Sequence, residues 1–332
     1  MDKILFIDNL KIFDKWASKT YPYKIEQIKK SSKFDFIDVS DDTPQPIENY
    51  KIVVFGWNAT LISKYYTTKH NFYSKKISNL ENSESIKSKI DKFLDHPNKY
   101  LVTQDLHQYD YENGINGLIN YLSKYRFKGI ISPYKNATAM PIIIKSLPNL
   151  RIIDIPHHID ETKFKDWKLE KKYDIFLFGN TSVTAYPFRN RLMKLLEKNK
   201  NRYKIIIWKP IRNYFRYDSR ISNDSLSKMI NRSLITICTS SSYNMLLGKY
   251  FETSMSKSLI AGNMPEDGVN IWKDNYLHLD PTDSNREILL KLDIALKDRI
   301  SFNNKIENAY ENMRSFYLSK FADHLYVYLM NL

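Results

Sequence analysis

The chemistry in this sequence concentrates in one short segment. Lys249, Glu252 and Ser256 recur at i, i+3 and i+7, which places them on one stripe of a helix. Gly248, in the first turn, costs up to ~1 kcal/mol against Ala but lets a ligand approach the backbone. The free N–H groups at such a helix start suit a phosphate, Lys249 adds a positive charge, and Glu252 can accept hydrogen bonds from sugar hydroxyls. The same three-residue spacing of Lys249 and Glu252 equally makes an ordinary surface ion pair, worth ~0.2–0.5 kcal/mol.

The elements that must position this stripe are legible on either side. Leu234–Cys238 is an apolar, β-rich run ending in the polar loop Thr239 to Ser242. Leu246, Leu247, Tyr250, Phe251, Met255 and Leu259 form the apolar face of the helix. Ser258–Ala261 is a second apolar run, closed by Gly262. Strand, helix, strand is a parallel-sheet unit, and the helix starts where doubly wound sheets bind ligands.

Two further turns carry candidate chemistry. Gly179, Asn180 and Thr181 follow the strand pattern Asp174–Phe178, and Pro187 then opens a helix. Arg189 falls in that helix's first turn, where a cation is disfavoured by ~0.3–1 kcal/mol. A docked anion would reverse the penalty; otherwise Arg189 points to solvent. In the first half, Thr103 to His107 follow a strand. Asp105 or His107 could orient or deprotonate a hydroxyl there, or serve only as a capping Asp and a loop His. The adjacent His157 and His158 point apart on an extended chain and read as linker. No His/Asp/Cys set has metal-ligand spacing, so neither metal nor cofactor is expected.

Composition sets the outer bounds. A chain of 332 residues suits two domains rather than one small core. Hydrophobic content of 42% with 14% aromatic residues excludes a disordered chain. No apolar run approaches the ~18–20 residues of a membrane span, and the start MDKILFIDNL reads as a strand rather than a signal peptide. The single cysteine, Cys238, lies in an apolar strand and fits a reducing, cytoplasmic setting. A net charge of +14 attracts nucleic acid, anionic membrane or phosphorylated substrate. No block of five or six like charges stands out, so solvated surface lysines also account for it.

Along the chain, strands are expected at 4–7, 34–39, 51–55, 100–103, 129–132 and 151–155. Helices are expected around 115–122 and 136–146, with Pro141 near the start of the second. The charged stretch from Ile155 to Lys172 reads as a linker. A second alternation follows: strands at 174–178 and 204–208, helices from Pro187 and around 226–230, the latter capped by Asp224, and a closing helix at 316–332.

Residues 248–262, G-K-Y-F-E-T-S-M-S-K-S-L-I-A-G, resemble the donor-binding segment of GT-B glycosyltransferases, in the group-1-like branch related to spore-coat glycosyltransferase-like proteins. Gly179, Asn180, Tyr186, Pro187 and Arg189 match the relatives' G-N-x-x-x-x-Y-P-x-R pattern, and Pro156, Ile159, Asp160 and Phe164 match their inter-domain stretch, with His158 replacing the usual Gly. The resemblance spans about 174–330 and is only topological before that. It implies two Rossmann-like doubly wound α/β domains facing a cleft: an acceptor domain over 1–160, a nucleotide-sugar domain over 161–315, and a helix at 316–332 crossing back. It further implies that Glu252 binds the ribose of a nucleoside-diphosphate sugar and that Lys209 meets the diphosphate. Two or three cations then offset the charge on the departing diphosphate, and the acceptor is a glycan or other hydroxyl. Many relatives carry a second Glu where this chain has Asn244. That departure keeps an inert, binding-only protein among the alternatives, beside a DNA-directed glycosyltransferase or DNA-binding protein.

Overall fold

The structure is a computed structural model, and it describes residues 3–9, 20–40, 46–57, 59, 83–103, 106, 114–208 and 222–332. The chain divides into two compact units, Met1–Pro156 with Ser319–Leu332, and His157–Leu318.

The first unit is built on a parallel sheet of β1 (Ile4–Asp8), β2 (Phe34–Asp38), β3 (Ile52–Phe55), β4 (Lys99–Val102), β5 (Gly129–Ser132) and β6 (Arg151–Asp154), in the order β2-β1-β3-β4-β5-β6. β1 and β3 are buried along their whole length, as expected of strands covered by helices on both faces. The helices α1 (Thr20–Lys30), α2 (Ser83–Phe93), α3 (Gly114–Lys124) and α4 (Met140–Ser146) provide the crossovers. α1 has no counterpart in the sequence reading. Its apolar stripe, Tyr21, Ile25 and Ile28, is buried, but it is short and set among lysines. Pro141 sits in the first turn of α4, where its missing N–H is no loss.

The second unit holds β7 (Tyr173–Phe178), α5 (Pro187–Lys198), β8 (Ile205–Trp208), α6 (Asn223–Asn231), β9 (Ser233–Ile237), α7 (Gly248–Met255), β10 (Leu259–Gly262), α8 (Glu266–Trp272), β11 (Leu277–His278), α9 (Asn285–Lys297) and α10 (Arg299–Asn312). Its sheet is parallel, in the order β11-β10-β9-β7-β8. The core lies on both faces: Leu177, Ile235, Leu192 and Leu196 on one, Phe176, Tyr250, Phe251 and Trp272 on the other. Neighbouring residues of β7 thus point to opposite faces, as a pleated strand requires. Gly262 is obligatory, because a Cβ there would lie 1.7 Å from the Cys238 carbonyl oxygen. A last helix, α11 (Phe321–Met330), belongs to the first unit.

Three expectations are corrected. The cap of α6 is Ser222, whose hydroxyl accepts from the Ser225 N–H, and Asp224 lies inside the first turn. From His157 on, the stretch read as a linker is packed into the second unit. Ile159 and Phe164 are buried, Trp167 donates to Ser227 Oγ (2.9 Å), and Lys171 donates to the Ser233 carbonyl (3.0 Å). The closing helix does not begin at Phe316: two 3-10 turns, Met313–Phe316 and Leu318–Lys320, precede α11. No helix among the described residues is long and apolar enough to cross a membrane.

Candidate functional site

In the second sheet the first and third strands of the unit, β7 and β9, lie side by side, and the connections leave them in opposite directions. The carboxyl ends of these two strands form the switch point at which open α/β sheets bind ligands. Two buried cations occupy it. Lys249, from α7, donates to the Phe178 carbonyl at the end of β7 (2.8 Å) and the Ile237 carbonyl at the end of β9 (3.3 Å). Arg189, from α5, donates from Nη1 to the Asn180 carbonyl (2.9 Å), from Nε to Thr239 Oγ1 (3.1 Å), and from Nη2 to the Thr239 carbonyl (2.9 Å). Each cation therefore staples one strand end to the other.

Neither cation pairs with a carboxylate among the described residues. Arg189 is 2% exposed and lies over the Tyr186 ring at 4.2 Å; Lys249 lies over the Phe178 ring at 4.2 Å. Burial pulls the Lys249 ammonium down to about 7, and the neighbouring Arg189 charge adds to the effect. Burial lowers Arg189 as well. Against the inventory of donors, five on a guanidinium and three on an ammonium, one Lys249 and two Arg189 hydrogens remain for a ligand.

Gly179 is the open side of this pair. Its φ of +97° is a conformation L side chains rarely adopt, and a Cβ there would lie 3.4 Å from Arg189 Nη1 and 3.7 Å from Lys249 Nζ. Asn180 turns back on the chain, its Oδ1 accepting from the Ser182 N–H (2.9 Å). Glu252 is one turn into α7 and half-buried. Its Oε1 lies 3.8 Å from the Cβ position of Gly248, and its carboxylate has no hydrogen-bond partner among the described residues. Burial pushes its carboxyl up to about 7, with Lys249 opposing. Asn244 has φ +52°, a left-handed conformation that Asn tolerates better than most residues.

The structure brings together Gly179, Asn180, Arg189, Lys249 and Glu252. It corrects the reading of Lys249, Glu252 and Ser256 as a polar outer stripe: Lys249 and Ser256 are buried, and Ser256 Oγ bonds Ser227 Oγ (2.8 Å). Arg189 does not point to solvent. Asp105, His107 and Lys209 lie outside the described residues. Sequence reasoning named Thr239 only as part of a polar loop and gave it no site role, and it read His157 as linker. The His157 Nδ1 lies 3.9 Å from the Gly248 Cβ position, and its ring meets Phe251 edge-on at 5.9 Å. Among the described residues no three His, Cys, Asp or Glu side chains gather as a metal site.

The switch point of the first sheet, between β1 and β3, is filled by an acid. Asp8 is fully buried; its Oδ1 accepts from the Asn9 and Ala59 N–H groups (both 2.9 Å) and its Oδ2 from the Tyr21 hydroxyl (2.5 Å). Gly56 is required beside it, since a Cβ would lie 2.3 Å from the carboxyl carbon. Burial pushes Asp8 up to about 7.

No protein-family model matches the chain. No curated protein matches it either. Solved structures do. HepE from Anabaena, in complex with UDP-glucose, superposes with a TM-score of 0.61 at 10% identity, over 99% of this chain and 100% of that one. An E. coli structure described as trehalose-6-phosphate bound with UDP-2-fluoro glucose gives 0.59 at 10% identity, over 99% of both chains. Sucrose-phosphate synthase from Thermosynechococcus elongatus gives 0.57 at 9% identity, over 100% of both. The fold of this chain is the GT-B fold of these proteins, two Rossmann-like parallel-sheet units, as the resemblance of residues 248–262 implies.

Proposed function

We propose that this protein is a glycosyltransferase that moves a sugar from a nucleoside-diphosphate sugar to an acceptor hydroxyl without a metal ion. The observation that carries the reading is the pair Arg189 and Lys249. Two buried cations with no carboxylate partner among the described residues converge at the switch point beneath Gly179. Burying unpaired charge is costly, and a diphosphate at Gly179 would neutralise both. The remaining donors would hold the diphosphate, and Glu252 would accept from the ribose hydroxyls. As the acceptor oxygen bonds to the anomeric carbon, the bond to the diphosphate oxygen breaks and its electron pair leaves with the nucleoside diphosphate. Fixed donors aimed at that growing charge lower the barrier without reorganisation. The acceptor proton passes to a base, for which Asp105 or His107 is the candidate.

Titration calorimetry with UDP, GDP, ADP and the corresponding sugar nucleotides tests this. One nucleoside diphosphate is expected to bind in the micromolar range, and Glu252→Ala to weaken it at least tenfold with an unchanged Tm. Absence of binding by every nucleotide, or unchanged affinity in Glu252→Ala, overturns the reading. Asn244 keeps a second reading, a binding protein without turnover: its amide can hydrogen-bond a sugar but carries no charge. Release of nucleoside diphosphate from any sugar nucleotide discards it.

A further inference from the structure

Lys24 is a buried cation with no part in the site around Gly179. Tyr21, Lys24, Ile25 and Ile28 recur at i, i+3, i+4 and i+7, so Lys24 takes a core position on the apolar stripe of α1. Glu26, Lys29 and Lys30 of the same helix are exposed, and Lys24 does not share their face.

Three lysines are buried among the described residues, Lys24, Lys99 and Lys249. Lysine is rarely buried without a partner. Lys99 donates to the His96 carbonyl (2.9 Å) and Lys249 to the Phe178 carbonyl (2.8 Å). Lys24, 8% exposed, has no hydrogen bond and no carboxylate partner among the described residues. Its ammonium lies 5.0 Å from the centroid of the Phe321 ring. A ring face offsets part of the charge but does not replace the oxygen partners of the other two lysines. Burial pulls the Lys24 ammonium down to about 8.

Lys24 and Phe321 line one narrow cavity of about 20 Å³, walled largely by apolar side chains such as Phe6 and Ile131. It lies where β4, β5 and β6 finish, at Thr103, Ser132 and Ile155. That end of a parallel sheet is the one at which open α/β folds bind ligands. No Asp or Glu is on its wall. The Tyr21 hydroxyl is committed to Asp8 Oδ2 and to the Trp57 N–H (2.8 Å), and the Thr103 hydroxyl donates to the Ile131 carbonyl (3.2 Å). The Ser132 hydroxyl accepts from the Tyr134 N–H (3.2 Å) and keeps its own hydrogen. The donors left on the wall are therefore the ammonium of Lys24 and the hydroxyl of Ser132.

We propose that this cavity is a carboxylate site: the carboxylate of an organic acid enters it and accepts from Lys24 and Ser132, and the rest of the acid stays at the carboxyl end of the first sheet. One ammonium matches the single charge of a carboxylate, whereas a phosphate dianion would carry a second charge in among apolar walls. A water needs ~10–15 Å³ on this measure, so the cavity admits the two oxygens of a carboxylate but not a sugar ring. Under the glycosyltransferase reading, on which this step rests, the acid is the acceptor, and the hydroxyl that receives the sugar belongs to an acid-bearing molecule.

The test is a ligand-observed NMR titration of the full chain, without nucleotide, with glucuronate and propionate and with their neutral amides. Each acid is expected to bind at least tenfold more tightly than its amide. Lys24→Met keeps the stem and removes the charge; it should abolish that preference while nucleoside diphosphate affinity, measured by calorimetry, stays that of the parent chain. Independently of any variant, glucuronate should slow reductive methylation of Lys24 at least threefold, mapped by mass spectrometry. Equal affinity for acid and amide, a preference retained in Lys24→Met, or methylation of Lys24 unaffected by the acid overturns the proposal. Methyl phosphate binding more tightly than both acids, and lost in Lys24→Met, overturns it in favour of a phosphate ligand. Acid binding by a chain that binds no nucleotide keeps the carboxylate site and discards its link to an acceptor.

Discussion

Arg189 and Lys249 come from different helices, sixty residues apart in sequence, and close on one backbone position. A Cβ on Gly179 would lie 3.4 Å from the guanidinium and 3.7 Å from the ammonium. Lys249 spends part of its hydrogen-bonding capacity on the carbonyls ending β7 and β9, and Arg189 on carbonyls two residues beyond them. The pair therefore holds the two loops together and leaves a concentrated positive charge between them.

Gly179→Ala tests that geometry directly. An alanine at a φ of +97° is strained, and such substitutions destabilise by more than ~1 kcal/mol. The added methyl also covers the two cations. Nucleoside diphosphate affinity is expected to fall at least tenfold, beyond what the fall in Tm explains. Retained affinity in calorimetry would place the diphosphate elsewhere.

The contribution of Lys249 to the pH dependence of donor binding has a definite sign. In the free protein Lys249 titrates near 7, lowered by burial and Arg189, and Glu252 near 7, raised by burial. A bound diphosphate favours the protonated form of Lys249, whereas ribose hydroxyls donating to Glu252 favour its carboxylate. The part of the affinity carried by Lys249 is therefore expected to weaken as pH rises through 7 to 8, with proton uptake at Lys249 on binding. Lys249→Met should lower the affinity and remove this part of its pH dependence. Calorimetry in buffers of different ionisation enthalpy measures the uptake.

Asp8 gives a separate signature, in stability. Burial pushes its carboxyl up from the ordinary aspartate value of 3.8 to about 7 in the folded chain. Between those values the folded chain binds the extra proton, so this contribution to stability is present at low pH and is lost as pH rises toward and through 7. Asp8→Asn keeps an oxygen for the Asn9 and Ala59 N–H groups and cannot ionise. Its denaturation midpoint is expected to vary less between pH 5 and 8 than that of the parent chain. Parallel pH profiles for the two would remove Asp8 as the source.

The start of α9 carries a full capping box. The Ser284 hydroxyl accepts from the Glu287 N–H (3.2 Å), and the Glu287 carboxylate accepts from the Ser284 N–H (2.6 Å). Ser284→Ala should cost ~1 kcal/mol, read by urea denaturation, with no effect on nucleotide affinity. A loss of affinity there would couple α9 to the site, which no contact described above does.

The alternation of apolar runs with amphipathic segments was readable before any coordinates, because strands covered on both faces must be continuously apolar and their crossovers must carry one apolar stripe. The runs at 129–132 and from Pro187 coincide with β5 and the start of α5. Gly179, Arg189, Lys249 and Glu252 were also singled out by type and spacing. What spacing could not tell was which side of each residue meets protein. Lys249 and Ser256 share a stripe with Glu252 by arithmetic, yet both are buried, because α7 packs on more than one neighbour. The role of Arg189 depends on the Thr239 carbonyl, fifty residues away, and that of Gly179 on the adjacency of β7 and β9. Strand order is set by long-range pairing, which leaves no local trace in a single sequence.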